Sequence, residues 1–550
     1  MSYAELERTA REWADHDPDP RTKATIEGWL KTHDEESLQQ AFNGPLTFGT
    51  AGLRARVGAG ESQLSLAVIL RTTYGLVNWV KTQLGADATP TIVIGCDARH
   101  GSLEFHQAAA EVVSAAGGRA LLLPAKNPTP LTAFSVKKFG ADAGIMVTAS
   151  HNPPADNGYK VYLGGRIAQG PAEGVQLISP ADKEISEAIA AAPYADEIPR
   201  TTDNIEHVDP REDYLTRALT LADKKSDILI ALTAMHGVGA ALGEKVLTAA
   251  GFNVSLVPEQ AEPDPDFPTV SFPNPEEKGA LDLAKAHANT IGADVIIAYD
   301  PDADRCAVAT PDANAEGGWR QLSGDETGAV LGAYRASVAK PGSMANSIVS
   351  GRLLSKIAEA AGRTHATTLT GFKWIARTPE LVFGYEEAIG FCCDPEAVAD
   401  KDGVSASVVV ASLVSALKAE GRTLDDALDD LAREHGLYQT APLTFRVDDL
   451  SIIARAMSTL RAQPPTELAG ATVTEVTDLN DPTLPWGATD GMMFITDHND
   501  RIICRPSGTE PKLKCYLEVV MPVTGDTIPR AEATQRLDAI ATALRTHLGM

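Results

Sequence analysis

Short apolar runs alternate with amphipathic stretches along most of the chain. TIVIGCD reads as a buried strand and SLEFHQAAAEVVSAAG as the helix after it; RALLLP, PLTAFSVKKFG and AGIMVTAS continue as strand, helix and strand. Apolar strands of this length separated by helix-periodic segments predict βαβ units and a mostly parallel sheet. The pattern restarts at DILIALTAMHGVGA, followed by helix ALGEKVLTAAG, strand NVSLVP, helix ALDLAKAHAN and strand ADVIIAYD. A third start follows GGWRQLSGDE, with helix TGAVLGAYRASVA and strand NSIVS. IVIGCDAR and VIIAYDPDADR, each an apolar strand ending in Asp, hint at an internal repeat. From about Leu443 the pattern changes: TFRVDD, GMMFIT, RIICRPSG and KLKCYLEVV predict antiparallel strands in a smaller α+β domain with helices before and after. PEQAEPDPDFPTVSFPNPEE reads as a long surface loop of the second segment.

Length and charge narrow the picture. A chain of 550 residues exceeds what one core supports, so roughly three or four domains are expected. A net charge of -26 disfavours nucleic acid and anionic membrane surfaces as partners. A phosphate-ester substrate would need cations gathered locally against that field. The first residues, MSYAELERTAREWADHD, lack the basic start and apolar core of a signal peptide. The sequence has no apolar run near the length of a membrane span. The six cysteines are scattered, with Cys392 and Cys393 adjacent. That pattern fits reduced thiols in a cytoplasmic protein better than disulfides or a zinc site.

Ligands of open α/β sheets bind beyond the carboxyl ends of the strands, and four loops there carry unusual chemistry. TASHNPPADNGYK, after AGIMV, sets Ser150 beside His151; the plain alternative is a polar turn built by Asn152, Pro153 and Pro154. DPDADR, after VIIAY, sets Asp300, Asp302 and Asp304 at alternate positions, followed by Arg305. In an extended loop these carboxylates can converge on Mg²⁺ or Ca²⁺. No glycine stands at the sixth position and the flanks are strand-like, so this is not an EF-hand; a solvated acidic turn is the alternative. FGYEEAIGF offers Glu386 and Glu387 to sugar hydroxyls, or forms a structural turn. RPSGTEPKLKCY offers Arg505, Ser507, Gly508 and Thr509 as a phosphate cradle without the P-loop pattern, or is a turn. Arg54, Arg56, Lys160, Lys373 and Lys401 are further candidate cations.

In this order, the four motifs resemble those of the α-D-phosphohexomutase superfamily, the phosphoglucomutases and phosphomannomutases, over about residues 48–516. The resemblance implies three related α/β domains with mixed, mostly parallel sheets around a central cleft, plus a smaller C-terminal α+β domain. The expected domains are 1–205, 206–322, 323–440 and 441–550.

By the same resemblance, Ser150 is the phosphorylated serine. Asp300, Asp302 and Asp304 hold one Mg²⁺ per chain, completed by a phosphoserine oxygen. Arg54, Lys160 and Arg305 surround the transferring group. Glu386, Glu387, Lys373 and Lys401 meet the sugar, and Arg505, Ser507, Gly508 and Thr509 hold the unreactive phosphate. Lys160 and His151 are candidate bases, Lys160 with a pKa lowered by neighbouring cations. The implied reaction interconverts hexose 1- and 6-phosphates of mannose or glucose, with a sugar 1,6-bisphosphate as intermediate and activator. The chain is expected to act on a phosphosugar, as monomer or homodimer, with neither nucleic acid nor membrane.

TFGTAGLRA, DNGYKVY, EEAIGF and DKDGVSA resemble the longer branch that includes phosphopentomutases. Ala388 stands where many hexomutases have serine, which keeps (deoxy)ribose phosphates as alternative substrates. YLGGRIAQGPAEGVQLISP carries extra residues around Arg166 to Gln176. A metal phosphatase using the same serine, and a sugar-phosphate sensor without chemistry, are the competing classes.

Overall fold

A computed structural model describes residues 2–47, 52–85, 87–447, 449–507 and 512–550. The chain forms two compact units, Met1–Gln321 with Gly390–Ser415, and Leu322–Ile389 with Ala416–Met550.

The first unit holds two sheets. In one, strands Ile205–His207, Arg119–Leu122, Thr91–Cys96 and Ala143–Val147 run parallel in that spatial order. Asp156–Leu163 then returns antiparallel, followed by Leu53–Arg56. Ile92, Ile94 and Ile145 are fully buried. Helices such as Leu66–Leu84 and Ser102–Ala115 pack against this sheet's core, so its central strands are apolar on both sides. In the second sheet Asn253–Leu256, Leu229–Thr233 and Val295–Tyr299 are parallel, and Cys306–Pro311 returns antiparallel.

The second unit repeats the parallel order with His365–Thr368, Ser343–Ser347 and Leu381–Glu386. It also carries a separate antiparallel sheet that includes Leu437–Arg446, Lys512–Met521, Arg501–Pro506 and Met492–Thr496. Helices Leu450–Ala462 and Arg530–Leu548 contribute Leu460 and Ile540 to its core. Three α/β units and a C-terminal antiparallel domain are therefore present.

The repeat is real, but its register differs from the one expected. Thr91–Cys96 is a central strand and corresponds by sheet order to Leu229–Thr233. Val295–Tyr299 corresponds to Ala143–Val147 and to Leu381–Glu386, the strands that lead into the serine, aspartate and glutamate loops. Each of these loops bends through a non-glycine residue at positive φ: Ser150 at 53°, Ala303 at 53° and Ile389 at 53°. Such conformations are uncommon and persist where the surroundings hold them.

Three expected boundaries move. The strand sought in NSIVS is Ser343–Ser347, because its ladder ends there and Ser350 N–H turns back to Ser347 C=O. The cut at 205/206 falls inside Ile205–His207, which pairs with the first sheet. The cut at 440/441 falls inside Leu437–Arg446, whose long pairing with Lys512–Met521 starts the C-terminal sheet earlier. Among the described residues no single helix is long and apolar enough to cross a membrane.

Candidate active site

The first unit brings the serine and aspartate loops together. Ser150 Oγ donates to Asp300 Oδ2 at 2.8 Å and lies 3.2 Å from His151 Nδ1. Lys160, on the strand that returns from the serine loop, donates to Asp302 Oδ2 at 2.7 Å and Asp304 Oδ2 at 2.8 Å. Thr129 Oγ1 donates to Asp302 Oδ2 at 2.6 Å. The Arg305 guanidinium is 3.9 Å from both Asp300 and Asp304. Lys401 Nζ lies 3.4 Å from Asp304 and 3.3 Å from Asp400, so it sits in the aspartate cluster. Arg54 donates to Asn152 Oδ1 at 3.3 Å, whereas Arg56, next but one on the strand, is exposed.

Burial and mutual charge set the electrostatics. Burial, reinforced by Asp302 and Asp304, pushes the Asp300 carboxyl well above the usual range. Burial has the same tendency at Asp304, but Lys160, Lys401 and Arg305 outweigh it and hold that carboxyl well below the usual range. Burial, with Arg305 and Arg54 nearby, holds the His151 imidazole well below its ordinary pKa. Lys160 corrects an expectation. Burial alone would lower its pKa, but Asp302 and Asp304 raise it above the usual lysine value. The expected lowering counted neighbouring cations and overlooked the carboxylates that the fold places against the ammonium.

The aspartates suit a hard cation. One ligand atom from each of Asp300, Asp302 and Asp304 lies within 4.8 Å of the others. Asp302 Oδ1 and Asp304 Oδ1 are buried without a hydrogen-bond donor. Buried carboxylate oxygens are costly unless paired or metal-bound, and oxygen donors fit Mg²⁺.

The second unit carries the other candidates. Glu386 ends its strand on a partly exposed turn. Glu387 turns inward: Ser350 Oγ donates to Oε2 at 2.9 Å and Ser347 Oγ at 3.2 Å. Its carboxylate thus anchors the loop from inside the turn. Gly324 is required beside it, since a Cβ there would lie 1.8 Å from the Glu387 carbonyl oxygen. Lys373 is half-buried on the short helix Phe372–Ile375. Arg505 donates to Thr370 Oγ1 at 2.6 Å, and Ser507 N–H bonds Lys512 C=O at 2.8 Å. Gly508 and Thr509 lie outside the described residues.

Sequence reading missed two supports. Buried Arg99 donates to the carbonyls of Ser150 (2.7 Å), Asn152 (2.5 Å), Pro153 (2.8 Å) and Asp156 (3.0 Å), fixing the serine loop. Its signal was the CDAR end of a strand, visible only as an apolar run ending in Asp. The extra segment is the second. Arg166 pairs with buried Asp142 at 2.6 Å, and Val175–Gln176 returns as a strand on Tyr162 and Leu163. Gln176 and Tyr162 both donate to Asp400 Oδ2, at 2.8 and 2.7 Å, beside Lys401.

Family models for the phosphoglucomutase/phosphomannomutase α/β/α domains I, II and III match residues 45–195, 212–315 and 323–435. The chain belongs to the phosphoglucomutase/phosphomannomutase family. It is 44% identical over 462 residues to the Haemophilus influenzae protein named "Probable phosphomannomutase", covering 83% of this chain and 93% of that one. It is 33% identical over 603 residues to the Homo sapiens phosphopentomutase, covering 99% and 96%. With the Saccharomyces cerevisiae phosphoribomutase it shares 34% identity, covering 92% and 91%. A family structure from Burkholderia thailandensis shares the fold at a TM-score of 0.69 and 18% identity, covering 91% and 97%. As a member of this family the protein is a mutase, an intramolecular phosphotransferase.

Proposed function

We propose that this mutase interconverts hexose 1-phosphates and hexose 6-phosphates, of mannose, glucose or both, through phospho-Ser150 and a bound sugar 1,6-bisphosphate. The observation that carries the proposal is the Ser150 hydroxyl seated against Asp300 at 2.8 Å. In the first half-reaction the free sugar hydroxyl bonds to phosphorus and the bond from phosphorus to Ser150 Oγ breaks. The hydroxyl proton passes to His151, kept neutral by its lowered pKa, and is returned in the second half, when the other phosphoryl group moves to Ser150, while Lys160 stays an ammonium held by Asp302 and Asp304. Asp300, Asp302, Asp304 and an oxygen of the phosphorylated serine would hold one Mg²⁺, which when bound supplies positive charge at the phosphoryl oxygens. Arg54, Arg305 and Lys401 add fixed positive charge at that centre. Glu386 and Lys373 bind the sugar, and Arg505, Ser507, Gly508 and Thr509 bind the distal phosphate. These roles fall on four domains close to 1–205, 206–322, 323–440 and 441–550, shifted at the strands described above. The six cysteines are free and buried, which suits a reducing cytoplasm.

A pentose reading is favoured by Ala388 in the glutamate loop and by the end-to-end match with phosphopentomutases. Intact-protein mass spectrometry with glucose 1,6-bisphosphate and Mg²⁺ tests the chemistry. Wild type should gain one phosphoryl mass and Ser150→Ala none; no gain in either would overturn the proposal. Ratios of kcat/KM for mannose, glucose and ribose 1-phosphates decide the sugar. An advantage of about tenfold for ribose, worth ~1.4 kcal/mol of transition-state binding, would replace the hexose reading.

A further inference from the structure

The proline-rich segment Pro258–Glu277 looks, in sequence, like an idle surface loop. It touches the loop after Thr91–Cys96, the serine loop and the aspartate loop. Asp266 Oδ1 lies 2.7 Å from His100 Nε2. The Phe267 ring packs under the Arg99 guanidinium, 5.0 Å from its centroid. Phe272 meets the His151 ring edge-on, with centroids 6.2 Å apart. The Glu276 carboxylate lies 3.6 Å from Arg305.

The segment is built to be stiff. Pro258, Pro263, Pro265, Pro268, Pro273 and Pro275 fix its φ angles. Thr269 Oγ1 is held by Gln260 and His236, both at 2.9 Å. Gln321 donates to the Pro275 carbonyl at 3.0 Å. Phe267 is 2% exposed and sits at φ 47°, a conformation bulky residues avoid unless packing demands it. Aromatic residues therefore stand against the two side chains that flank Ser150: Arg99, which fixes its carbonyl, and His151, which faces its hydroxyl.

We propose that Pro258–Glu277 is a rigid wall of the phosphoserine centre, in which Phe267 and Phe272 position Arg99 and His151 and keep water from the phosphoryl group on Ser150. This rests on the serine chemistry proposed above. The reaction suppressed is hydrolysis: a water oxygen bonds to phosphorus, the bond from phosphorus to Ser150 Oγ breaks, a water proton ends on Oγ, and inorganic phosphate leaves. An apolar edge beside the imidazole denies that water a site, whereas a sugar hydroxyl arrives tethered to its own phosphate.

The test uses the full-length enzyme, phosphorylated with glucose 1,6-bisphosphate, desalted, and followed by intact mass and inorganic phosphate release. Phe272→Ala should shorten the phosphoenzyme lifetime about tenfold and raise phosphate release per mutase turnover, with Phe272→Leu restoring most of the lifetime. Asp266→Ala, at an exposed position that poses little risk to folding, should shorten it by about threefold by freeing the wall from His100. Lifetimes equal to wild type in Phe272→Ala and Asp266→Ala would overturn the wall. Should Phe272→Ala fail to fold, an unchanged lifetime in Asp266→Ala would overturn it equally. A wild type that accepts no phosphoryl group would instead overturn the serine chemistry, a failure distinguishable from that of the wall.

Discussion

Ser150 Oγ donates to Asp300 Oδ2 across 2.8 Å, joining two loops separated by 150 residues of chain. The loops leave topologically equivalent strands of two different sheets, Ala143–Val147 and Val295–Tyr299. The serine loop and the aspartate cluster are thus two copies of one structural position, turned toward each other.

Arg99 holds its loop through four backbone carbonyls, so its loss should be felt in both stability and chemistry. Arg99→Ala is expected to cost about 3 kcal/mol in urea unfolding, from stranded carbonyls and an unbalanced Asp97. The rate of phosphoryl uptake should fall by about 100-fold as the left-handed turn at Ser150 relaxes. Arg99→Lys should recover part of the stability and little of the rate, since one ammonium cannot span the four carbonyls. A folded Arg99→Ala protein with wild-type uptake would contradict this role.

Divalent metal should stabilise the fold through the aspartate cluster. At 100 times its dissociation constant a native-state ligand adds about 2.7 kcal/mol, so Mg²⁺ should raise the thermal midpoint and a chelator should reverse the rise. Asp304→Asn should abolish the response while leaving a folded protein. If the midpoint ignored Mg²⁺, or Asp304→Asn responded normally, the aspartates would not be the site.

The adjacent glutamates should separate in their effects. Glu387→Ala removes the carboxylate that accepts from the Ser347–Ser350 hydroxyl pair and should cost about 1–3 kcal/mol of stability. Glu386→Gln should cost far less stability and lower kcat/KM by about 100-fold through the sugar. Denaturant unfolding and steady-state kinetics on the two variants check the division. The reverse pattern would exchange the roles.

Asp325 gives a pH signature. Burial pushes its carboxyl from an ordinary 3.8 up to about 6, despite hydrogen bonds from Gly351 N–H, Thr440 and Tyr385. A carboxyl with a higher pKa folded than unfolded binds its proton more tightly in the native state. Its stabilising contribution is complete below about pH 4 and is lost as pH rises through about 6. That loss is on the order of 3 kcal/mol. Asp325→Asn should therefore lose less stability between pH 4 and 7 than wild type, by a comparable amount. Parallel stability profiles for the two proteins would refute the assignment.

Local chemistry and periodicity were legible in the sequence. Buried strands such as TIVIGC must sit in covered parallel sheets, because only there are both faces dry. The serine, aspartate, glutamate and arginine loops stood out because each gathers groups with one kind of chemistry within a few residues. What tertiary structure decided were relationships between segments far apart in the chain. Sheet order aligned Ala143–Val147 with Val295–Tyr299, which strand sequences alone mismatched, since any apolar strand ending in Asp looks like another. Packing placed Asp302 and Asp304 against Lys160 and so raised a pKa expected to fall. It also turned Glu387 inward, folded the Arg166–Gln176 segment back to Asp400, and laid a proline-rich loop over His151. Burial and charge partners depend on three-dimensional neighbours, and the linear chain does not contain them.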